Sequence, residues 1–257
     1  LQFIIGGDVR FKKKTYKKCM IGVTPHYIFF AENHNSENNP HEVTGKYIGD
    51  IHVLEVKKLL FGKNYELYNF LQIKLNPIGS IKMKATIYNP EQNAIKKLTQ
   101  LIYRNVQLAY ANAPQGIPRP YFDQSLAKSA NDDFFPDFRD FITHKLSLSQ
   151  CFQFSYSAIC SLEDVPYNHD VVNYFHNQLI ASNGFFNVNW VPFETEEKDT
   201  GGKLVELRPI FRALLYSDHI KGIFCENVKI PEVFKAIAFQ LMGSSQILFL
   251  HCVNVSN

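Results

Sequence analysis

"NPEQNAIKKLTQLIYRNVQLAY", residues 89–110, decides how the first half of the chain is read. Asn89 is placed as an N-cap and Pro90 at the first helical position, where a missing N–H costs nothing. Ala94, Ile95, Leu98, Leu101, Ile102 and Val106 then recur on one face. Such an amphipathic helix needs an apolar partner, and the preceding hundred residues offer strands. "RFKKKTYKKCMIGVTPHYIFFAEN" (10–33) reads as two strands broken at Thr24-Pro25. After the polar stretch "NHNSENNPHE" (33–42) come "GKYIGDIHVLEVKK" (45–58), "NYELYNFLQIKL" (64–75) and "GSIKMKATIY" (79–88), separated by Gly, Asn and Pro. Ile81, Met83 and Ala85 alternate with Lys82, Lys84 and Thr86, the pattern of a half-buried strand with a basic outer face.

Several antiparallel strands closed by one amphipathic helix is the grammar of a pleckstrin-homology (PH) fold, with another type of small barrel as its rival. Residues 1–112 are therefore expected to form a PH-like barrel of seven strands whose open end the helix plugs.

Composition is globular, with 46% apolar and 20% charged residues. No run of about 18 apolar residues is present, so no transmembrane helix is expected. The five cysteines (Cys19, Cys151, Cys160, Cys225, Cys252) are scattered and never form C-x-x-C, which favours reduced thiols over disulfides or zinc. The basic excess of 27 over 24 is too small to imply nucleic acid.

Residues 113–205 are punctuated differently and are expected to be a linker and N-terminal cap region. "APQGIPRPYFDQ" (113–124) reads as a surface-hugging linker, "NDDFFPDFRDFITHKL" (131–146) offers a short helix after Pro136, and "ETEEKDTGGK" (194–203) is a polar loop. Val171, Val172, Phe175 and Leu179 mark a helix after Asn168 or Asp170. Among the phenylalanines of "DDFFPDFRDF" (132–141), self-stapling of the linker is favoured over partner binding.

Residues 206–257 carry a repeat. "HIKGIFCENVKI" (219–230) returns as "QILFLHCVNVSN" (246–257): Ile220, Ile223, Cys225 and Val228 are matched 27 residues later by Ile247, Leu250, Cys252 and Val255. This is leucine-rich-repeat spacing, with a helix expected between from Pro231 onward. Cys225 and Cys252 are expected as buried thiols on neighbouring parallel strands. With one full unit and the strand of the next, the chain is expected to be the front of a longer protein. The expected class is α+β in two domains: a PH-like barrel with its C-terminal helix, then a linker and the start of an α/β leucine-rich solenoid.

The stretch "FQFSYSAICSLEDVPYNHDVVNYF" (152–175) resembles the linker of the CARMIL family, cytosolic regulators of actin capping protein, through Phe154, Ser155, Cys160, Leu162, Pro166, Tyr167 and Val171. "ELRPIFRALLYSDHIKGIFCENVKI" (206–230) resembles that family's first leucine-rich segment through Leu207, Pro209, Ile210, Ala213, Leu214 and Tyr216. The only Trp is Trp190, so the helix of the PH-like part lacks the Trp of typical PH domains. The resemblance implies a divergent member of the family, covering its PH-like domain, linker and first repeats. It further implies a cytoplasmic protein peripheral at the plasma membrane or cell cortex, regulating actin assembly. Capping protein would bind through a region outside this chain, and the longer protein would homodimerise.

For chemistry, the sharpest feature is "RFKKKTYKK" (10–18), with Arg10, Lys12, Lys13, Lys14, Lys17 and Lys18 in one expected hairpin. Clustered lysines attract acidic phospholipid, each contributing about 1 kcal/mol near an anionic leaflet. The competing reading is a solvated strand whose lysines protect a sheet edge. Lys82 and Lys84, with Lys57, Lys58 and Lys63, either widen the patch or solvate another face. No stacking motif accompanies the lysines, so no nucleic-acid partner is expected. G-x-S-x-G, Walker A, H-E-x-x-H and G-x-G-x-x-G are absent, and His169 and His176, seven apart, read as a surface pair. A non-enzymatic scaffold with no cofactor and no metal is expected, its PH-like part contacting acidic phospholipid and its repeats binding protein. The alternative is an adaptor whose PH-like fold binds protein rather than lipid.

Overall fold

A computed structural model describes residues 1–35, 43–63, 69–76, 83–111, 113, 120–123, 146–181, 184–190, 206–227 and 249–253. The expected short helix after Pro136, the polar loop 194–203 and the helix after Pro231 lie outside these residues. The protein is mixed α/β and divides into two compact units, Leu1–Ala109 with Arg119–Arg139, and Tyr110–Pro118 with Asp140–Asn257.

In the first unit, β1 (Phe3–Phe11), β2 (Lys14–Val23), β3 (Tyr27–Asn35), β4 (Val43–His52), β5 (Val56–Lys63), β6 (Asn69–Leu75) and β7 (Lys84–Asn89) form one antiparallel sheet. A short eighth strand, β8 (Tyr121–Asp123), adds parallel to β5. The strand order is β4-β3-β2-β1-β7-β6-β5-β8. β4 and β5 are six strand positions apart in that order, about 29 Å if the sheet were flat. Only a 3-10 turn, Val53–Glu55, joins them, and that span covers at most about 15 Å. The sheet therefore curls into a barrel-like shape. His52 stabilises the joint with a capping box: its ring accepts from the Leu54 N–H, and its own N–H donates to Glu55.

Alternation along the strands turns Val9, Phe11, Ile21, Val23, Ile28, Phe30, Ile51, Leu71, Ile73 and Ile87 into the curl. Helix α1 (Gln92–Ala109) lays Ile95, Leu98, Ile102 and Val106 against this sheet, and all four are buried. The helix begins later than expected. Asn89 is the last residue of β7, its amide group donating to the Gly6 carbonyl while its Oδ1 accepts from the Glu91 N–H at 2.6 Å. It anchors the strand-to-helix turn, and the first helical residue is Gln92 rather than Pro90. On the helix's buried side, the Asn105 amide donates to Gln2 Oε1 at 2.7 Å and to the Thr24 carbonyl at 2.9 Å. These bonds fix the N-terminus and the β2–β3 turn to the helix.

The second unit opens with a helix the sequence reading does not assign, α2 (Leu148–Glu163). Its start is a capping box of Ser147 and Gln150, and its end is Asp164 in left-handed conformation. The segment 152–175, read as a linker, thus begins in a packed helix. A five-residue break, Asp164 to Asn168, with Pro166 and Tyr167 leads to α3 (His169–Ala181), the helix expected there. Phe152 stacks on Phe175 with ring centroids 3.7 Å apart, and the aromatic core continues through Phe186 to Phe211 of α4 (Leu207–Leu214). Glu163 pins α2 to α4 by accepting from Arg212 at 2.5 Å, with Arg208 at 3.6 Å.

A three-stranded parallel sheet follows, ordered β11-β10-β9: β9 (Phe185–Asn187), β10 (Gly222–Glu226) and β11 (Phe249–Val253). Its register sets Ile223 beside Leu250 and Cys225 beside Cys252, so the 27-residue sequence period is the offset of two paired strands. Cys225 is fully buried, and burial pushes its thiol up to about 11. Cys252 differs from the expectation: it is only half-buried, because among the described residues β11 pairs on one side alone.

Candidate functional site

All six predicted basic residues belong to the β1–β2 hairpin. Phe11 pairs with Lys14, which leaves Lys12 and Lys13 as a two-residue turn. Both have positive φ, 48° and 67°, the type I′ geometry that matches the twist of the flanking strands. Asn-Gly usually fills these positions. Holding an ordinary L-residue in this region costs about 1–2 kcal/mol. The buried neighbour Phe11 packs on Phe30 with centroids 5.3 Å apart, and the Lys12 ammonium lies 5.2 Å from the Phe11 ring centre.

A third lysine is also left-handed. Lys18 has φ 51°, inside a bulge where the pairing steps from Gly7–Cys19 to Val9–Tyr16 and gains one residue on β2. Asp8 holds the bulge: its carboxylate accepts from the Lys18 backbone N–H at 3.0 Å and from the Lys17 ammonium at 2.7 Å. Partial burial pushes the Asp8 carboxyl up, but those two hydrogen bonds and the charge of Lys17 outweigh it, so its pKa lies below the usual value. The sequence reading did not single out Asp8, although an acid just ahead of a run of cations was the available signal.

Lys17 is therefore ion-paired, while Arg10, Lys12, Lys13, Lys14 and Lys18 have no carboxylate at ion-pair distance among the described residues. All five are exposed. β1 and β2 sit in the middle of the strand order, whose ends are β4 and β8. Arg10 is paired on both sides, but the β2 residues from Lys14 to Lys18 pair with β1 alone among the described residues, so edge protection is a competing reason for Lys14 and Lys18 and gives none for Arg10. The hairpin gathers five unneutralised cations on a turn whose backbone would fold more easily with other residues.

Elsewhere among the described residues, His26 stacks on His52 with ring centroids 6.3 Å apart. His176 Nδ1 meets Ser149 Oγ at 2.7 Å, and His169 packs edge-on against the Tyr167 ring. Among the described residues no group of three His, Cys, Asp or Glu is placed to hold a metal, and no helix is long and apolar enough to cross a membrane. The outer face of the parallel sheet carries Phe185, Phe224 and Phe249, with centroids 5.5 and 5.9 Å from Phe185, and Phe249 is 59% exposed. No protein-family model matches the chain, and no curated protein is significantly similar to it.

Proposed function

We propose that this chain is a non-enzymatic scaffold segment that meets acidic phospholipid through the β1–β2 hairpin. The observation that carries the reading is the cluster of Arg10, Lys12, Lys13, Lys14 and Lys18, exposed, unneutralised and partly held in costly backbone conformations. At about 1 kcal/mol per cation, the attraction is useful at low salt and fades within a Debye length of about 8–10 Å near physiological salt.

The strand order with α1 packed on the sheet supports reading the first unit as PH-like. The 27-residue offset of β10 and β11 supports reading residues 206–257 as the start of a leucine-rich solenoid. With the resemblance at 152–175 and 206–230, this favours a CARMIL-like regulator of actin assembly at the cell cortex. A second reading, a protein adaptor, is favoured by the exposed Phe249 beside half-buried Phe185 and Phe224 on the parallel sheet. Co-sedimentation with phosphatidylcholine vesicles, with and without phosphatidylserine, over a salt series separates them. Lipid binding requires pelleting that depends on phosphatidylserine and falls as salt rises; no pelleting at low salt refutes it.

A further inference from the structure

The strand register places three more lysines in one line. Lys58 of β5 pairs with Lys74 of β6, and Lys74 pairs with Lys84 of β7. On the next strand Phe11 pairs with Ala85, so the position following in register beyond Lys84 is the hairpin turn, beginning at Lys12. Lys74 and Lys84 are exposed, and Lys58 is half-buried. The inward side of the same strands is apolar: Leu59, Ile73 and Ala85 are buried. The row therefore lies on the outer face. Four adjacent strands give it a length of about 15 Å.

Such a row is unfavourable for the fold. Like charges directly opposite one another on neighbouring strands destabilise a sheet. β6 and β7 are interior strands, so the lysines are not needed to blunt an edge. No carboxylate lies at ion-pair distance from Lys74 or Lys84 among the described residues.

We infer that Lys58, Lys74 and Lys84 extend the hairpin into one continuous cationic strip, which docks on an anionic bilayer surface by touching several headgroups at once. The inference rests on the lipid reading of the hairpin and deepens it. The strip is too long for one phosphate group to engage, and it follows the convex outside of a curled sheet rather than a groove. A nucleic acid strand calls for a charged groove with aromatic platforms, whereas the row follows a convex face and the nearest aromatic pair on that face, Phe70 and Tyr88, lies four residues away along the strands, about 13 Å. A surface dense in anionic headgroups fits it.

The test uses the full chain with vesicles of phosphatidylcholine and phosphatidylserine at low salt, comparing K74Q/K84Q with K12Q/K13Q/K14Q. Removing Lys74 and Lys84 should weaken partitioning about 30-fold, between fivefold and sixfold per lysine at about 1 kcal/mol each. It should also leave the melting temperature unchanged or raise it, because cross-strand repulsion is relieved. Inorganic phosphate at matched ionic strength should not displace the protein. If the hairpin variant loses binding while K74Q/K84Q binds like the parent, the strip is refuted and the hairpin reading stands. If neither variant loses binding, both readings fail. Displacement by inorganic phosphate, or tighter binding to a single-stranded oligonucleotide than to the vesicles, also overturns the proposal.

Discussion

Replacing Lys12-Lys13 by Asn-Gly tests the hairpin most directly, because stability and binding should move in opposite directions. Both turn residues have positive φ, where an L-side chain costs about 1–2 kcal/mol and Asn or Gly far less. Relief of about 1 kcal/mol at each position is offset by losing the exposed Lys12–Phe11 contact, worth about 0.5 kcal/mol. A net gain of about 1.5 kcal/mol remains, or roughly 7 °C for a domain of this size. The same change deletes two cations. Near an anionic leaflet that costs about 2 kcal/mol, or about 30-fold in partitioning at low salt. Circular dichroism melting and vesicle co-sedimentation on one preparation read both quantities. A variant that melts lower than the parent would refute the type I′ assignment. One that melts higher and binds vesicles unchanged would refute the hairpin as the lipid contact.

Three further changes probe the elements that carry the site. Asp8 has a folded pKa below its ordinary value of 3.8, so its contribution is fully present above that value and is lost as pH falls through the lowered one. Asp8→Asn should flatten the acid limb of the stability curve below about pH 4, read by urea melts at several pH values. Asn105→Ala leaves the part-buried Thr24 carbonyl without its amide donor and should cost about 1 kcal/mol in denaturant unfolding. Gly222 has no room for a side chain: a Cβ there would stand 2.6 Å from the Phe185 ring and 3.1 Å from Phe249 Cβ. Gly222→Ala should therefore cost about 1–3 kcal/mol, and Phe185→Ala in the same chain should recover part of that loss.

What the sequence revealed depended on how locally each feature was encoded. The helix after residue 90 and the hairpin cations were legible because period, caps and charge run are written in consecutive residues. The pairing of Cys225 with Cys252 was legible because a fixed period of 27 translates directly into strand register. β9 escaped notice because it is three residues long and sits 37 rather than 27 positions before β10, as the Phe185–Gly222 pairing shows. Helix α2 carried its signal openly, a Ser147–Gln150 capping box ahead of Phe152, Tyr156 and Ile159, but its family resemblance to a linker drew the reading away. Lys58 and Lys84 stood among the cations that could widen the patch, but their alignment through Lys74 was not legible. Lys58, Lys74 and Lys84 meet only through the register of three strands, one of which shifts by a residue between Val56 and Lys58.

These departures from local rules do not fall at random over the first unit. Along the buried side of the sheet each choice agrees with the fold: β-branched and aromatic residues alternate inward, and α1 faces them with an apolar stripe. Among the described residues of this unit, the backbone and charge conflicts are three lysines at positive φ and a row of like charges on interior strands, and they adjoin one another through the pairing of Phe11 with Ala85. When sequence and fold agree nearly everywhere, a contiguous patch of conflict is where a function other than folding is expected. Each conflict is cationic. A requirement for shape alone would have been met more cheaply by Asn-Gly at the turn and by threonine or glutamine on the strands. The shared property is positive charge, which is what the proposed docking on an anionic surface requires.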